Sequence, residues 1–526
     1  MNIEYRSMTM QDYPTVKIMW METKDISFSE SDSEFHIKKY LEQNPNCSFV
    51  AVDGNKIVGT VIAGDDARRG FINHLYVLPE YRNRGVGNNL LSLAEQALAH
   101  RYPTKAYVFV KADNFKGIEF WKKNCFYLCE DFITMRKSLS PEPFDVYEEL
   151  TEASVIPYLT QKNIATDCIS VNEFGDGNMN YIFKVSCKNG SLILKQAMPH
   201  GKIDVTVFEP MDRAVYENNY IEYFSHFMSN NLEKHLGFDS VMNINLYEDL
   251  SFMKVLRSCL LDGTVRDGIG KEIGKYLAEQ YYYSSCYYLG IEKKKSMEHS
   301  FSNYRMRQLT EDFILVNPFE DSPNNNIDSE IRPLVEQLWK NHKLCSKAKV
   351  LATKFVSNKE CIISGDFHPG NIFVSDEKCI FFDFDFAMWG PIAYDVGTML
   401  GNLIISLRTG REYHPSGNKH DQDVISMIVD MFTEFHEQMR LYLNEMDSDV
   451  VDDILDTIDS DAFGYAAATI GGRTYGYARF KEITSLKNSV NRVMIIESLL
   501  HDMEYLMLDC KNLNSLISYL QVRKTL

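Results

Sequence analysis

The chain has 526 residues, several times the span of one hydrophobic core, so two to four structural units are expected. A hydrophobic share of 45% and a charged share of 24% are those of an ordinary globular chain, and no apolar run reaches the roughly 20 residues of a membrane helix, which excludes a membrane partner. The net charge of −18 falls after residue 140, where 37 Lys and Arg face 56 Asp and Glu, against 18 and 17 before it; this excludes a broad basic face for nucleic acid and leaves small molecules as the expected partners.

Residues 48–52 and 57–62 alternate as strands around an Asp53-Gly54-Asn55 turn, a hairpin signal, and a third strand runs over 70–77. Residues 85–100 switch to helical spacing, with Val86, Leu90, Leu91, Leu93, Ala94 and Leu98 on one face. A strand at 106–110, a short helix at 115–124 and a strand at 126–136 complete this part. Between strand and helix stands Arg82-Asn83-Arg84-Gly85-Val86-Gly87-Asn88, a basic loop that opens a helix. Unpaired N–H groups and the dipole at a helix start favour an anion, and glycines let the backbone approach it closely.

That loop resembles the R-x-x-G-x-G pyrophosphate loop of GNAT-type N-acetyltransferases, on Arg82, Gly85 and Gly87. The resemblance covers about residues 1–138, including the strand order and the stretch Asn114…Phe120-Trp121…Phe126. It implies a mixed sheet with flanking helices and an acetyl-CoA whose pyrophosphate sits on the amides of Arg84 to Asn89, Val86 and Asn88 among them. It also implies a thioester laid against Leu75–Val77, a cofactor role for Asn114, and transfer of acetyl to an amine. Trp121 departs from the pattern: the family often has there a Tyr that protonates the leaving thiolate, which an indole cannot do. Cys125 replaces the Gly before Phe126. Tyr127 or Tyr76 as acid, and His74, Glu22 or Asp65 as base, stay open, as does a unit that binds acyl-CoA as a sensor without turning it over.

Ser138 to Phe144, with Pro141 and Pro143, reads as a linker, so the domains are placed at 1–138 and 147–526 with a linker at 139–146. After it come a helix near 151–162 and strands at 167–174, 180–187 and 190–196. A helix-rich region from about 210 to the end is interrupted by a strand–turn–strand block at 361–388. Phosphoryl transfer needs a cover for the phosphates, a cation, metal ligands and a carboxylate to orient the attacking hydroxyl. Gly175-Asp-Gly177-Asn178 supplies a glycine turn as the cover. Lys195 ends an apolar strand, where a buried ammonium needs an anion that Glu217 can supply. In Asp366-Phe-His-Pro-Gly-Asn371 and Asp383-Phe-Asp385, Asn371, Asp383 and Asp385 offer hard oxygens to Mg²⁺, and Asp366 is left to take the hydroxyl proton. His368 is read as a hydrogen-bonded support of the loop.

This block resembles the aminoglycoside phosphotransferase and choline kinase superfamily, which implies a bilobal, protein-kinase-like fold: a small β-rich N-lobe at about 147–250 and a large helical C-lobe at about 251–526. The fold class expected for the whole chain is therefore α/β (α+β) in two domains. Within Gly390-Pro-Ile-Ala-Tyr-Asp395-Val-Gly397, Asp395 is read as structural. Gly175-Asp-Gly-Asn-Met-Asn-Tyr-Ile-Phe183, Leu194-Lys-Gln-Ala-Met-Pro199 and Glu248-Asp249-Leu-Ser251 look like S-methyl-5-thioribose kinases. That likeness, over about 145–520, implies ATP-dependent phosphorylation of the 1-hydroxyl of a thioribose-type sugar, with adenine near Tyr247–Leu250, Asp249 included. Asn371 stands where those kinases have Ser, and Asp385 where they have Glu. Of their sugar-holding arginine pair only Arg473 remains, beside Gly472. With the acidic stretch at 445–461, this leaves a second reading open, an aminoglycoside-modifying acetyl- and phosphotransferase. The eleven scattered cysteines form no CxxC pair and residues 1–4 start no signal peptide, so a reducing cytoplasm is expected. Nothing sets an oligomeric state, and a homodimer is one arrangement open to the chain.

Overall fold

Alternating apolar side chains over the first 77 residues pair into one sheet in the computed structural model, which describes residues 3–23, 26, 28–101, 103–111, 114–129, 134, 143–174, 179–201, 210–413, 418–477, 479–486 and 489–522. The chain divides into two compact units, Met1–Arg136 and Lys137–Leu526. The linker expected at 139–146 lies partly outside the described residues.

In the first unit β1 (Ile3–Ser7), β2 (Phe49–Asp53), β3 (Lys56–Asp65) and β4 (Gly70–Val77) are antiparallel neighbours in that order, and β5 (Ala106–Tyr107) joins β4 in parallel. One face packs on α1 (Tyr13–Met21) and α2 (Glu34–Gln43) through Val16, Trp20 and Ile37. The other packs on α3 (Val86–Ala99) through Val86, Leu90, Leu91 and Ala94, the face expected from spacing. The strand expected at 106–110 stops at Tyr107, and the described residues of 126–136 form no strand. The reason lies in β4. Its register against β3 slips between Thr60 and Ile62, and His74 takes a φ of +50°, so β4 bulges and its pairing with β5 ends at Phe71–Tyr107. The helix α4 (Phe115–Lys123) follows.

In the second unit α5 (Glu152–Gln161) precedes an antiparallel sheet ordered β6 (Cys168–Glu173), β7 (Asn180–Cys187), β8 (Gly190–Ala197), β10 (Ile244–Glu248) and β9 (His235–Asp239), crossed by α6 (Arg213–Met228). β9 and β10 fall where helix was expected. Ile244 and Leu246 are fully buried against the apolar residues of β8, and that pairing outweighs local propensity. Beyond β11 (Lys254–Val255), α7 (Leu256–Asp262) and α8 (Ile269–Ser284) the unit is helical. The exception is the short ladders of β12 (Cys361–Ile363) with β15 (Met388–Gly390), and of β13 (Ile372–Val374) with β14 (Cys379–Phe381). These strands carry the 361–388 block. Among the described residues no helix is long and apolar enough to cross a membrane.

Two helix crossings in this lobe depend on glycine pairs one turn apart. A Cβ at Gly397 would come 2.5 Å from the Ala462 carbonyl, and one at Gly401 2.8 Å from that of Ala466, so helix Ile392–Tyr413 lies directly on helix Ser448–Thr474. Gly270 and Gly274 seat α8 against Asn418–Tyr442 in the same way. Gly397→Val is therefore expected to destabilise the second unit by about 3 kcal/mol or more through overpacking, read as a lowered urea midpoint with little change in m.

Candidate active sites

The best-ordered charge cluster is built on Lys195. Its Nζ donates to Glu217 Oε1 at 2.7 Å, Asp383 Oδ1 at 2.6 Å and Asp385 Oδ1 at 2.9 Å. Each carboxylate has its own support. Glu217 accepts from the Asn245 side chain at 3.3 Å and the Phe384 amide at 3.3 Å. Asp385 Oδ2 accepts from Asn180 Nδ2 at 2.5 Å and lies 3.7 Å from Arg213 Nε. Arg213, fully buried one helical turn before Glu217, donates to the carbonyls of Met198, Pro210 and Met179. Arg213 went unassigned in the sequence, although its i,i+4 spacing to Glu217 places both on one face of α6. Burial lowers the Lys195 ammonium's proton affinity, but Asp383, Asp385 and Glu217 together hold it well above the ordinary lysine range.

The loop that carries Asp366 follows β12. Gly365 takes a φ of +78° with its Cα against the Phe386 carbonyl, which no Cβ could share. Asp395 receives four donors, the Ser364 amide at 2.7 Å and hydroxyl at 2.9 Å, the Gly365 amide at 3.1 Å and Gln280 Nε2 at 2.9 Å, and so pins the start of the loop to helix Ile392–Tyr413. Burial pushes its carboxyl up to about 6 despite those donors. His368 Nδ1 accepts from the Gly370 amide at 2.9 Å, the loop-supporting bond expected of it. Asn371 Nδ2 donates to the Asp366 carbonyl at 3.1 Å, leaving its Oδ1 for a cation. Asp366 itself meets Arg473 Nη2 at 2.5 Å and His368 Nε2 at 3.5 Å. Burial pushes the Asp366 carboxyl up, yet Arg473, then His368 and Arg257, hold it below the usual carboxylate range. Arg257 and Arg473 both stack on Phe480, at 4.2 and 4.6 Å from its centroid.

The donor set fits a hard divalent cation. Oxygens of Glu217, Asp383 and Asp385 lie within 4.8 Å of one another, outnumbering the cations Lys195 and Arg213. Asp385 is 5% exposed with both oxygens engaged, whereas Asp383 is 40% exposed and stands at a φ of +67°. Asp383 and Asn371 each keep a side-chain oxygen without a partner among the described residues, and Asp385, whose oxygens meet Lys195 and Asn180, stands in the same carboxylate cluster.

Other expected nucleotide contacts fall differently. The turn Gly175 to Asn178 lies outside the described residues. Tyr247 is buried in the core beside Glu217 rather than presented to a ligand. Asp249 is spent on Lys184 at 2.8 Å, Ser191 at 2.5 Å and the Ser251 amide at 2.9 Å, so it braces the end of β10.

In the first unit Gly85 caps α3 with a φ of +82° and no side-chain cap, leaving the first-turn amides of Val86, Gly87 and Asn88 without intrahelical partners. Phe120 packs 3.5 Å from where a Gly87 Cβ would be. Arg82 folds back, its Nε donating to the Val77 carbonyl at 2.9 Å, and Arg84 lies over the Tyr81 ring. Leu75 and Val77 face the α3 side, while Tyr76 belongs to the α1 and α2 side. Asn114 is a helix cap, accepting from the Gly117 amide at 2.8 Å. Trp121 packs edge-on against Phe120 and Phe126. Among the open base candidates, Asp65 is bound to Arg101 at 2.5 Å and Glu22 sits exposed at the end of α1.

A model of the acetyltransferase (GNAT) family matches residues 13–125, and one of the phosphotransferase enzyme family matches residues 299–417. The molecule is thus a transferase with an acetyltransferase unit followed by a kinase-like phosphotransferase unit. Methylthioribose kinase of Bacillus mycoides (strain KBAB4) is 30% identical over 354 residues, 66% of this chain and 90% of its own. That of Geobacillus sp. (strain WCH70) is 30% identical over 358 residues, 66% of this chain and 88% of its own. Spectinomycin phosphotransferase, APH(9)-Ia, superposes at a TM-score of 0.37 with 14% identity over 71% of this chain and 99% of its own. The chain belongs to the methylthioribose kinase family, and carries its GNAT unit ahead of the kinase. Membership implies ATP and a divalent metal ion for the second unit and acetyl-CoA for the first.

Because Asp395 only accepts, an amide in its place would turn an N–H₂ toward donors. Asp395→Asn is expected to cost about 3 kcal/mol of stability, measured by denaturant unfolding, and to disorder the Asp366 loop.

Proposed function

We propose that the second unit transfers a phosphoryl group from Mg-ATP to a hydroxyl of a small neutral sugar of the methylthioribose type, while the first acetylates an amine. The observation that carries the choice of sugar is the Arg473 guanidinium at Asp366. Arg473 is bonded to the catalytic carboxylate, Arg257 shares its aromatic platform, and Arg473 Nε is buried with no hydrogen-bond partner among the described residues. A polyhydroxylated acceptor can take the Arg473 Nε donor, while Arg257 is already paired with Glu482 at 3.1 Å. The ammonium groups of a polyamine carry no acceptor and would leave that donor unpaired. Four of the eight acids in the stretch that favoured aminoglycosides are otherwise engaged: Asp447 caps helix Ser448–Thr474, Asp452 pairs with Arg440, Asp459 with His436 and Asp461 with Lys354.

In this reading Asp366 orients the sugar hydroxyl and accepts its proton, and Arg473 positions the sugar. Lys195, anchored by Glu217, holds phosphate oxygens, and the backbone around Glu248 to Leu250 takes the adenine. Asn371 and Asp383 hold Mg²⁺, which when bound neutralises charge on the phosphates. The amides of Val86, Gly87 and Asn88 hold the acetyl-CoA pyrophosphate. Both nucleotide cosubstrates belong to the cytoplasm, and the reading carries that location with it.

A coupled ATPase assay over methylthioribose, ribose, aminoglycosides and choline should show turnover with methylthioribose; turnover with aminoglycosides alone would reject the reading. Asp366→Asn should lower kcat by about 10³-fold with ATP affinity kept. The pH dependence follows from Arg473. With Arg473 present Asp366 stays ionised well below pH 5, so kcat has no acid limb from it near neutrality. Arg473→Gln lets the Asp366 carboxyl rise toward and above its ordinary value of about 4, so activity should fall as pH drops toward about 5. The same variant should raise KM for the sugar more than KM for ATP.

A further inference from the structure

The first unit contains a second charge pair that the acyl-CoA loop does not need. His74 lies at the bulge of β4, one residue before the Leu75–Val77 stretch, and its Nε2 is 3.1 Å from Asp32 Oδ1. The imidazole is 16% exposed and the carboxylate 11%. Asp32 is fixed in place: its Oδ2 accepts from the Ser29 amide at 2.8 Å and hydroxyl at 3.1 Å, and Tyr13 donates to its carbonyl at 2.8 Å. His74 is held from two further elements. Trp20 packs edge-on at 4.5 Å from its ring, and Trp20 Nε1 donates to Thr60 Oγ1, which donates to the His74 carbonyl, both at 3.0 Å. A non-glycine residue at a φ of +50° inside a strand is strained, and such strain persists only where surrounding bonds enforce it. The titratable groups on the elements packed around it are Tyr13 on α1, Asp32 before α2, Glu34 on α2 and Tyr76 on β4, and Asp32 is the charged one at ion-pair distance.

We propose that His74, oriented by Asp32, is the general base of acetyl transfer. The inference rests on the reading of β4 as the strand that holds the thioester. It settles the choice among His74, Glu22 and Asp65 by geometry: Asp65 is neutralised by Arg101, Glu22 lies in solvent, and His74 alone has a buried carboxylate behind it and sits beside Leu75. His74 Nε2 makes no aligned hydrogen bond in this structure, but with the Asp32 carboxylate 3.1 Å away a hydrogen on Nε2 is electrostatically favoured, which leaves the lone pair on Nδ1. The acceptor is a primary amine that arrives as an ammonium. One of its protons passes to Nδ1, and the freed lone pair forms the N–C bond to the acetyl carbon. The C–S bond breaks with its electron pair on sulfur, and the amide nitrogen's surplus proton passes to the thiolate, giving N-acetylamine and CoA-SH, with the first proton later released to water.

Full-length wild type, His74→Ala, His74→Gln and Asp32→Asn test this by calorimetry with acetyl-CoA and by thiol release with a panel of amino sugars, polyamines and a peptide α-amine from about pH 6 to about pH 10. All four should bind acetyl-CoA alike. Both His74 variants should lose about 100-fold in kcat near neutral pH, recover as the free amine becomes abundant at high pH, and be partly rescued by added imidazole. Asp32→Asn should lower kcat with KM kept, whereas a merely structural pair would depress the rate equally at every pH and resist imidazole. Unchanged kcat in the His74 variants overturns the proposal. So does a wild type that binds acetyl-CoA and acetylates no amine, which leaves acyl-CoA binding standing. A wild type that binds no acetyl-CoA overturns the acetyltransferase reading itself.

Discussion

The second unit depends on one ammonium. Lys195 on β8 gathers Glu217 from α6 and Asp383 and Asp385 from beyond β14, segments separated by up to 190 positions in the chain. Each of these carboxylates, buried alone, would cost several kcal/mol of lost hydration. Together they are tolerable because Lys195, Arg213, Asn180 and Asn245 return the hydrogen bonds that water would have made. The cluster ties the five-stranded sheet to the helical lobe. It also leaves an excess of negative charge beside Asp383, which is the electrostatic demand a divalent cation meets.

A few residues away the carboxylates are matched by arginines. Asp366 meets Arg473 and His368, and Arg257 pairs with Glu482 beside them. Gly472, beside Arg473, lies against Phe313 and Ile314 with no room for a side chain. Arg257, more than two hundred positions earlier, stacks on Phe480 as Arg473 does and pairs with Glu482.

The first unit uses a strand defect rather than a charge cluster. The β4–β5 ladder ends after two residue pairs, at Phe71–Tyr107, while β4 bulges at His74 and stays paired with β3 through Tyr76 and Val77. It also turns His74 toward Asp32 and Trp20. Trp121, which cannot act as an acid, belongs instead to the aromatic packing that holds α4 next to Gly87.

Several features were legible in the chain because they are local. The glycine-and-arginine loop before α3, the Asp366–Asn371 and Asp383–Asp385 spacings, and the alternation in β2 to β4 and β6 to β8 depend on neighbours a few positions apart. Helix and strand periods report such neighbours directly. What escaped was set by distant partners. β9 and β10 exist because β8 offers them a buried edge, and β5 is short because β4 bulges away from it. Asp249 and Asn114 matched cofactor motifs but are consumed by Lys184 and by the cap of α4. The sequence by itself determined the two reactions, since each needs a fixed run of chemical groups. Only the tertiary structure decided which carboxylates gather on Lys195, which arginine meets Asp366 and which carboxylate stands beside His74, because charge and burial at a point are sums over segments that the linear order keeps apart.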